Sequence, residues 1–400
     1  MGSWVKYLPE NGFYPIVVTR NWTGEELSEE ERLRSSGDAK RKVEGVHSTV
    51  YYLPYKSSLR DYLFRKGTKN ILFRFSSKAL TVINILLRNL SVKCIPYHNL
   101  YTKSKEILLK EPDIEFLIIS ANPFEQFFFG YRLKKQFPHL KWIADYRDDW
   151  STSEIERHLF PNLQARFERK WVNTASKIIS VSPHYTSKIS SFTKVGGETI
   201  YNGYDFQVQG ETYPPIKGFT ITYNGTLYPT QPIEIFLAGL KKFIRANPNE
   251  KVLLNFPGLK INAIQVERVV HFMKGFESNL WISDRIPKQE IIELQNKSDV
   301  LLMVAHEEIK GIPSSKVFEY IGLRKQFIVC PGDNDVLDSI AHTSELGHVL
   351  QTSEDVFLFL EQQLKDKKSG LERQKVNLAS IQQYSVVHQV KKLSTLLNTL

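Results

Sequence analysis

Short runs rich in β-branched and aromatic residues alternate along the chain with stretches whose apolar positions recur every three or four residues. In the first half the runs predict strands at 14–19, 49–53, 115–120, 141–145, 177–182 and 199–201. The intervening helical patterns fall near 61–73, 78–90, 103–110, 124–136, 163–174 and 184–192. Residues 25–42 are charged and poor in apolar side chains, which predicts a mobile loop. Residues 206–217 are polar and contain Pro214-Pro215, the mark of a stiff, exposed linker. Beyond it the alternation restarts. Strands are expected at 220–223, 252–255, 280–282, 300–304, 327–330 and 347–350, and helices near 232–245, 262–273, 288–295, 314–321, 336–342 and 356–365. An amphipathic helix over 385–400 has no strand after it and is expected to pack back across a cleft. Such alternation is the signature of parallel α/β sheets, here in two successive units with a cleft between them. The expected domains are 1–205, a linker at 206–217, 218–384, and the terminal helix 385–400.

Four hundred residues, 42% hydrophobic and 24% charged, describe a globular chain of two ordinary domains. Cys94 and Cys330 are far apart in the sequence and form no disulfide framework or metal cluster, which fits a reducing compartment. No run approaches the ~20 apolar residues needed to span a bilayer. The net charge of +10 is uneven. Residues 1–205 hold 31 Lys and Arg against 22 Asp and Glu. Between Lys56 and Lys110 twelve basic residues are opposed only by Asp61 and Glu106. A basic segment interleaved with Tyr, Phe and Leu suits an anionic membrane surface. A solvated basic face is the plainer alternative. Nucleic acid is not expected as a partner, because no motif for it accompanies the charge.

The stretch with the most chemistry is GIPSSKVFEYIG, residues 311–322. Pro313, Ser314 and Ser315 read as a helix start, with proline in the first turn and hydroxyls near the orphan amides. A helix N-terminus offers free N–H groups and partial positive charge to a diphosphate. Ser315, Lys316 and Glu319 share one face by their spacing, and Val317, Phe318 and Ile321 share the other. A cation beside phosphate and a carboxylate beside ribose hydroxyls would suit a nucleotide diphosphate-sugar. A capped amphipathic helix with a surface Lys–Glu pair accounts for the same spacing.

That stretch resembles the donor motif of glycosyltransferase family 4, in the branch reading IPSK-x-x-E-Y. SDVLLM (298–303), FIVCPGDND (327–335), ITYNGTLYPTQ (221–231), ADYRDDW (144–150) and YNGYD (201–205) resemble further family segments in the same order. The resemblance implies a GT-B fold: two Rossmann-like doubly wound domains facing across a cleft, the first for the acceptor and the second for the nucleotide-sugar. It implies that Glu319 holds the ribose and that Ser314, Ser315 and Lys316 meet the diphosphate, with Pro313 setting the turn and Gly225 and Thr226 facing it. It places Asp145, Arg147 and Asp148 on the acceptor side, with one aspartate as base. A structural Asp–Arg pair is the other reading of that segment. Asn202 and Asp205 are read as turn residues.

The chain departs from the family pattern in places. Gly311 stands where the family has the first glutamate of a pair, with Glu307 and Glu308 nearby. Thr226, Leu227 and Tyr228 occupy the place of a cation after the phosphate-loop glycine. No acceptor-domain histidine is evident. Residues 2–19 resemble the family's first helix and second strand, without the preceding strand and Gly-rich loop. The expectation is therefore an acceptor domain lacking its first strand, with Met1 not the natural start or the chain truncated; failing both, an inactive domain. Asp148-Asp149 lacks the Asp-x-Asp spacing of metal-dependent transferases and sits beside Arg147, so neither metal nor cofactor is expected.

The function this implies is sugar transfer from a nucleotide diphosphate-sugar to a lipid-linked or polysaccharide acceptor, retaining and metal-independent, with Lys316 stabilising the leaving diphosphate. The expected location is cytoplasmic, peripheral at the inner face of the cell membrane through 56–110. A sugar-nucleotide epimerase and a catalytically degenerate binding protein of the same fold are the competing readings.

Overall fold

The structure is a computed structural model that describes residues 2–21, 41–54, 58–67, 70–95, 97–155, 158–205, 218–370 and 377–400. The expected linker at 206–217 and most of the expected loop at 25–42 lie outside the described residues. The chain divides into two compact units, one of residues 1–181, 185–200 and 390–400, the other of 182–184 and 201–389.

The first unit contains strands β1 (Ile16–Arg20), β2 (Arg41–Glu44), β3 (Thr49–Leu53), β4 (Phe116–Ala121), β5 (Lys141–Tyr146), β6 (Lys177–Ser180) and β7 (Gly197–Thr199). Strands β4, β5, β6 and β7 form a parallel sheet in that order. A second sheet has the order β1-β3-β2, with β1 parallel and β2 antiparallel to β3. Strand β2 corrects the end of the expected loop. All four of its residues are exposed, so no apolar alternation announces it. A cavity of about 240 Å³ lies where the sheets adjoin, lined by Ile16 and Val18 of β1 and Phe116 and Ile118 of β4. The core of this unit is aromatic. Trp142, Trp171, Tyr146, Phe127 and Phe128 are almost wholly buried, and Trp150 stacks on Phe124 with ring centroids 5.4 Å apart. Within it the buried carboxyl of Glu168 accepts from the Tyr146 hydroxyl at 2.9 Å and the Ser151 amide at 3.0 Å. Burial raises the pKa of both side chains.

The expected helices at 61–73 and 78–90 are instead Leu59–Gly67 and Ile71–Leu87. The second begins at Asn70, whose side chain accepts from the Leu72 amide at 2.9 Å and so caps a helix that the apolar pattern alone would start later.

The second unit contains β8 (Phe219–Tyr223), β9 (Val252–Phe256), β10 (Leu280–Ile282), β11 (Val300–Met303), β12 (Phe327–Val329) and β13 (Gly347–Val349). They form one parallel sheet in the order β10-β9-β8-β11-β12-β13, the doubly wound Rossmann order. Central β8 is buried along its whole length. Its two threonines are satisfied inside the sheet: the Thr220 amide donates to Asp299 at 2.8 Å, and the Thr222 hydroxyl lies 2.7 Å from that of Ser298. Helix Glu234–Ala246 buries Phe236, Leu237, Leu240 and Phe243, spaced three and four apart. Helix Ser353–Ser369 packs beside it through Val356, Leu360 and Leu364.

Gly239 sets how closely these two helices approach, since a Cβ there would lie 2.5 Å from the Ser353 carbonyl oxygen and 2.6 Å from the Val356 Cβ. The Gly239→Val variant is therefore expected to lose about 1–3 kcal/mol, read as a lower urea midpoint. Unchanged stability would show that the helices part freely.

Candidate functional site

In a doubly wound sheet, ligands bind outside the carboxyl ends of the strands where the winding reverses. Here the reversal lies between β8 and β11, which are paired in the sheet although β8 ends at Tyr223 and β11 begins only at Val300. A cavity of about 500 Å³, within the range of small-molecule sites, opens beside it. Its walls are the loop after β8 (Asn224 to Leu227), the segment after β9 (Pro257 to Asn262), Arg285 to Gln295 after β10, and Lys316 and Glu319 on the helix after β11.

Each wall has a local cause. Gly225 sits at φ +152°, and a Cβ there would meet only the Tyr223 hydroxyl at 4.0 Å, so backbone conformation rather than crowding favours glycine. The Tyr223 hydroxyl donates to the Thr226 carbonyl at 3.0 Å and holds the loop from beneath. The hydroxyl of Tyr320, fully buried, accepts from the Asn224 amide and donates to the Leu302 carbonyl, both at 3.3 Å. Burial pushes this phenol well above its ordinary pKa, so it stays a donor. Two cavity-lining amides, Asn224 Nδ2 and Gln295 Nε2, are buried without a hydrogen-bond partner among the described residues. Such groups cost about 1–3 kcal/mol each when unmet. Arg285 and Lys288 add cations to the same wall.

Helix Ser315–Gly322 carries the motif that the sequence singles out. Val317, Phe318 and Ile321 are fully buried, as their spacing predicts. Lys316 Nζ lies 3.1 and 3.3 Å from the two Glu319 carboxylate oxygens. Their side chains are 31% and 28% exposed, so the pair is worth no more than about 1 kcal/mol and separates readily for a better partner. Pro313 departs from its expected place. The helix starts at Ser315 with Ser314 as its cap, accepting from the Lys316 amide at 3.4 Å, so Pro313 precedes the cap instead of occupying the first turn. Of the expected donor residues, Gly225, Thr226, Lys316 and Glu319 share the cavity, whereas Pro313, Ser314 and Ser315 are outside its lining.

The remaining expected residues stand in the first unit, at the carboxyl end of β5. Asp145 is 1% exposed and accepts from Arg147 Nε at 3.0 Å; the Arg147 guanidinium also lies over the Trp4 ring, 4.5 Å from its centroid. The pair is formed, and its burial fits the structural reading of this segment. Asp148 is exposed. Next to it Asp149 is buried and bound by Lys188 at 3.0 Å.

Sequence reasoning missed Asn224, Arg285, Gln295 and Asp335. The first three approach Lys316 only because β8, β9, β10 and β11 are neighbours. Asp335 accepts from the Gly311 amide at 2.5 Å, while the Gly311 carbonyl accepts from the Ser182 hydroxyl at 2.7 Å. The loop before the helix is thus fastened at Gly311, whose φ is +83°. The signal was available, since Gly332, Asp333, Asn334 and Asp335 form a turn-rich run.

No family model matches the chain, and no curated protein matches it in sequence. Solved structures do match. A glycosyltransferase from Rickettsia africae ESF-5 is 13% identical with a TM-score of 0.60, over 98% of this chain and 92% of its own. Sucrose-phosphate synthase from Thermosynechococcus elongatus is 12% identical with a TM-score of 0.62, over 97% of this chain and 99% of its own. An Anabaena protein, HepE, solved in complex with UDP and glucose, is 12% identical with a TM-score of 0.59, over 97% and 100%. At these identities the likeness is one of fold. The chain has the GT-B fold, two Rossmann-like units in one polypeptide, as the sequence motifs imply.

Replacing Tyr320 by Phe should leave the Asn224 amide and the Leu302 carbonyl unmet, at a cost of about 1–3 kcal/mol in chemical denaturation. An unaltered midpoint would mean that neither hydrogen bond contributes.

Proposed function

We propose that the chain is a glycosyltransferase of the family 4 kind. It moves a sugar from a nucleotide diphosphate-sugar to a lipid-linked or polysaccharide acceptor. One observation carries the reading: the cavity at the β8–β11 reversal joins a glycine loop, a lysine and a glutamate with two buried amides that lack hydrogen-bond partners among the described residues. In this reading the second unit binds the donor and the first the acceptor. Glu319 takes the ribose hydroxyls. Lys316 leaves Glu319 for the diphosphate, exchanging a pair worth at most about 1 kcal/mol for charge-assisted bonds worth about 1.5–3. The helix that carries both residues adds the positive end of its dipole. The solved complex of HepE with UDP and glucose supports a uridine nucleotide as the first donor to try.

Chemically, the main contribution is stabilisation of the diphosphate as it departs, supplied by Lys316 and the helix dipole. No metal is needed for that neutralisation, and retention at the anomeric carbon follows from the family resemblance. On the acceptor side, Asp145 is held by Arg147 and shapes the end of β5, which leaves Asp148, the exposed carboxylate, as the candidate base. The basic segment 56–110 attracts the protein to the anionic inner face of the cell membrane, in the cytoplasm, where lipid-linked acceptors lie. Among the described residues no helix is long and apolar enough to cross a membrane.

A thermal-shift panel of nucleotide-sugars tests the reading. At least one should raise the melting temperature by several degrees at saturation. Lys316→Ala should then weaken that ligand about 10–100-fold while lowering stability by less than about 1 kcal/mol. Failure of every nucleotide to bind overturns the proposal. Interconversion of the donor without an acceptor would move the assignment to an epimerase.

A further inference from the structure

The helix Ile71–Leu87 turns a long apolar stripe to solvent in addition to the apolar side chains it packs inward. Its outward face carries Leu72, Phe75, Ile83, Leu86 and Leu87, between 40% and 70% exposed, and Leu90 extends the stripe at 70%. With exposed Ala79, positions 72, 75, 79, 83, 86 and 90 advance by three or four residues, one continuous face. The inward face mixes Ile85 and the part-buried Phe73 and Leu80 with polar groups. Ser77 and Arg88 are buried there, Thr81 accepts from Arg60 Nε at 3.1 Å, and Arg88 pairs with Glu125 at 2.8 Å. On the preceding helix, Leu59–Gly67, the side chains of Leu59, Tyr62 and Phe64 are also about half exposed or more. Water does not favour this arrangement, because an apolar stripe of this length is ordinarily turned inward.

We propose that this hairpin is a monotopic membrane anchor, its apolar stripe seated among the acyl chains of an anionic leaflet. The proposal deepens the reading of an anionic surface as partner and rests on it, since charge attraction alone requires no insertion. Seventeen residues of helix lying flat give a contact about 25 Å long. Exposed Lys66, Arg74 and Lys78 sit on the same hairpin, with long stems that reach the headgroup level. They also decide between lipid and a second copy of the chain. A twofold contact through this face would set the same cations against each other, whereas anionic headgroups neutralise them.

Flotation of the full chain with phosphatidylcholine vesicles containing about 30% phosphatidylglycerol, at roughly 0.1 and 0.5 M NaCl, tests this. Binding should persist at the higher salt. Phe75→Glu with Ile83→Glu should reduce it about 100-fold, a tenfold loss for each apolar group withdrawn. Circular dichroism checks that the double variant folds, and nucleotide binding to the variant should equal that of the parent. Binding that salt abolishes, with the double variant equal to the parent, would overturn insertion and leave only the charge contact. Absence of vesicle binding at either salt, or a dimer broken by the same substitutions, would overturn it too. Nucleotide binding fails or succeeds separately, so the two readings are told apart.

Discussion

The second unit depends on one buried phenol. Tyr320 stands on the helix after β11 and reaches the end of β8, where its hydroxyl joins the Asn224 amide to the Leu302 carbonyl. That contact holds the helix face bearing Lys316 and Glu319 at a set distance from the glycine loop. Both sides of the cavity are therefore positioned by a residue that does not line it. The constraint is possible only because the sheet winds outward from its middle, so that β8 and β11 are adjacent. Strand order, not nearness in sequence, brings the polar groups together.

Two ion pairs, Asp145–Arg147 in the first unit and Lys316–Glu319 in the second, contrast in burial. Asp145 is fully buried and bound by Arg147, so removing one partner would strand a charge. Lys316 and Glu319 keep close to a third of their side-chain surface in water, and little holds them to each other. A pair that separates at low cost suits two groups that must each take up part of a ligand. A locked pair suits the end of a strand.

Much of the architecture was legible in the sequence. The strands of the second unit read as short apolar runs because a parallel sheet buried on both faces requires them. Helix Ser315–Gly322 was legible from its serines and its spacing, though it starts one residue later than expected and leaves Pro313 before the cap. Elements that contradict the burial rule were not legible. Strand β2 is wholly exposed, and helix Ile71–Leu87 turns leucines outward, so its bounds were misjudged. Most of the site was hidden for a different reason. Gln295 and Arg285 are ordinary polar residues whose importance arises only when three neighbouring strands bring them to Lys316.

The aromatic core of the first unit has an optical consequence. Trp4, Trp142, Trp150 and Trp171 are all 5% exposed or less and belong to that unit, whereas Trp281, at 38%, is the tryptophan of the second. Indole emission is governed by its surroundings. Four buried indoles against one half-covered indole weight the intrinsic fluorescence toward melting of the first unit. Loss of the parallel sheet in the second would be read through Trp281 alone.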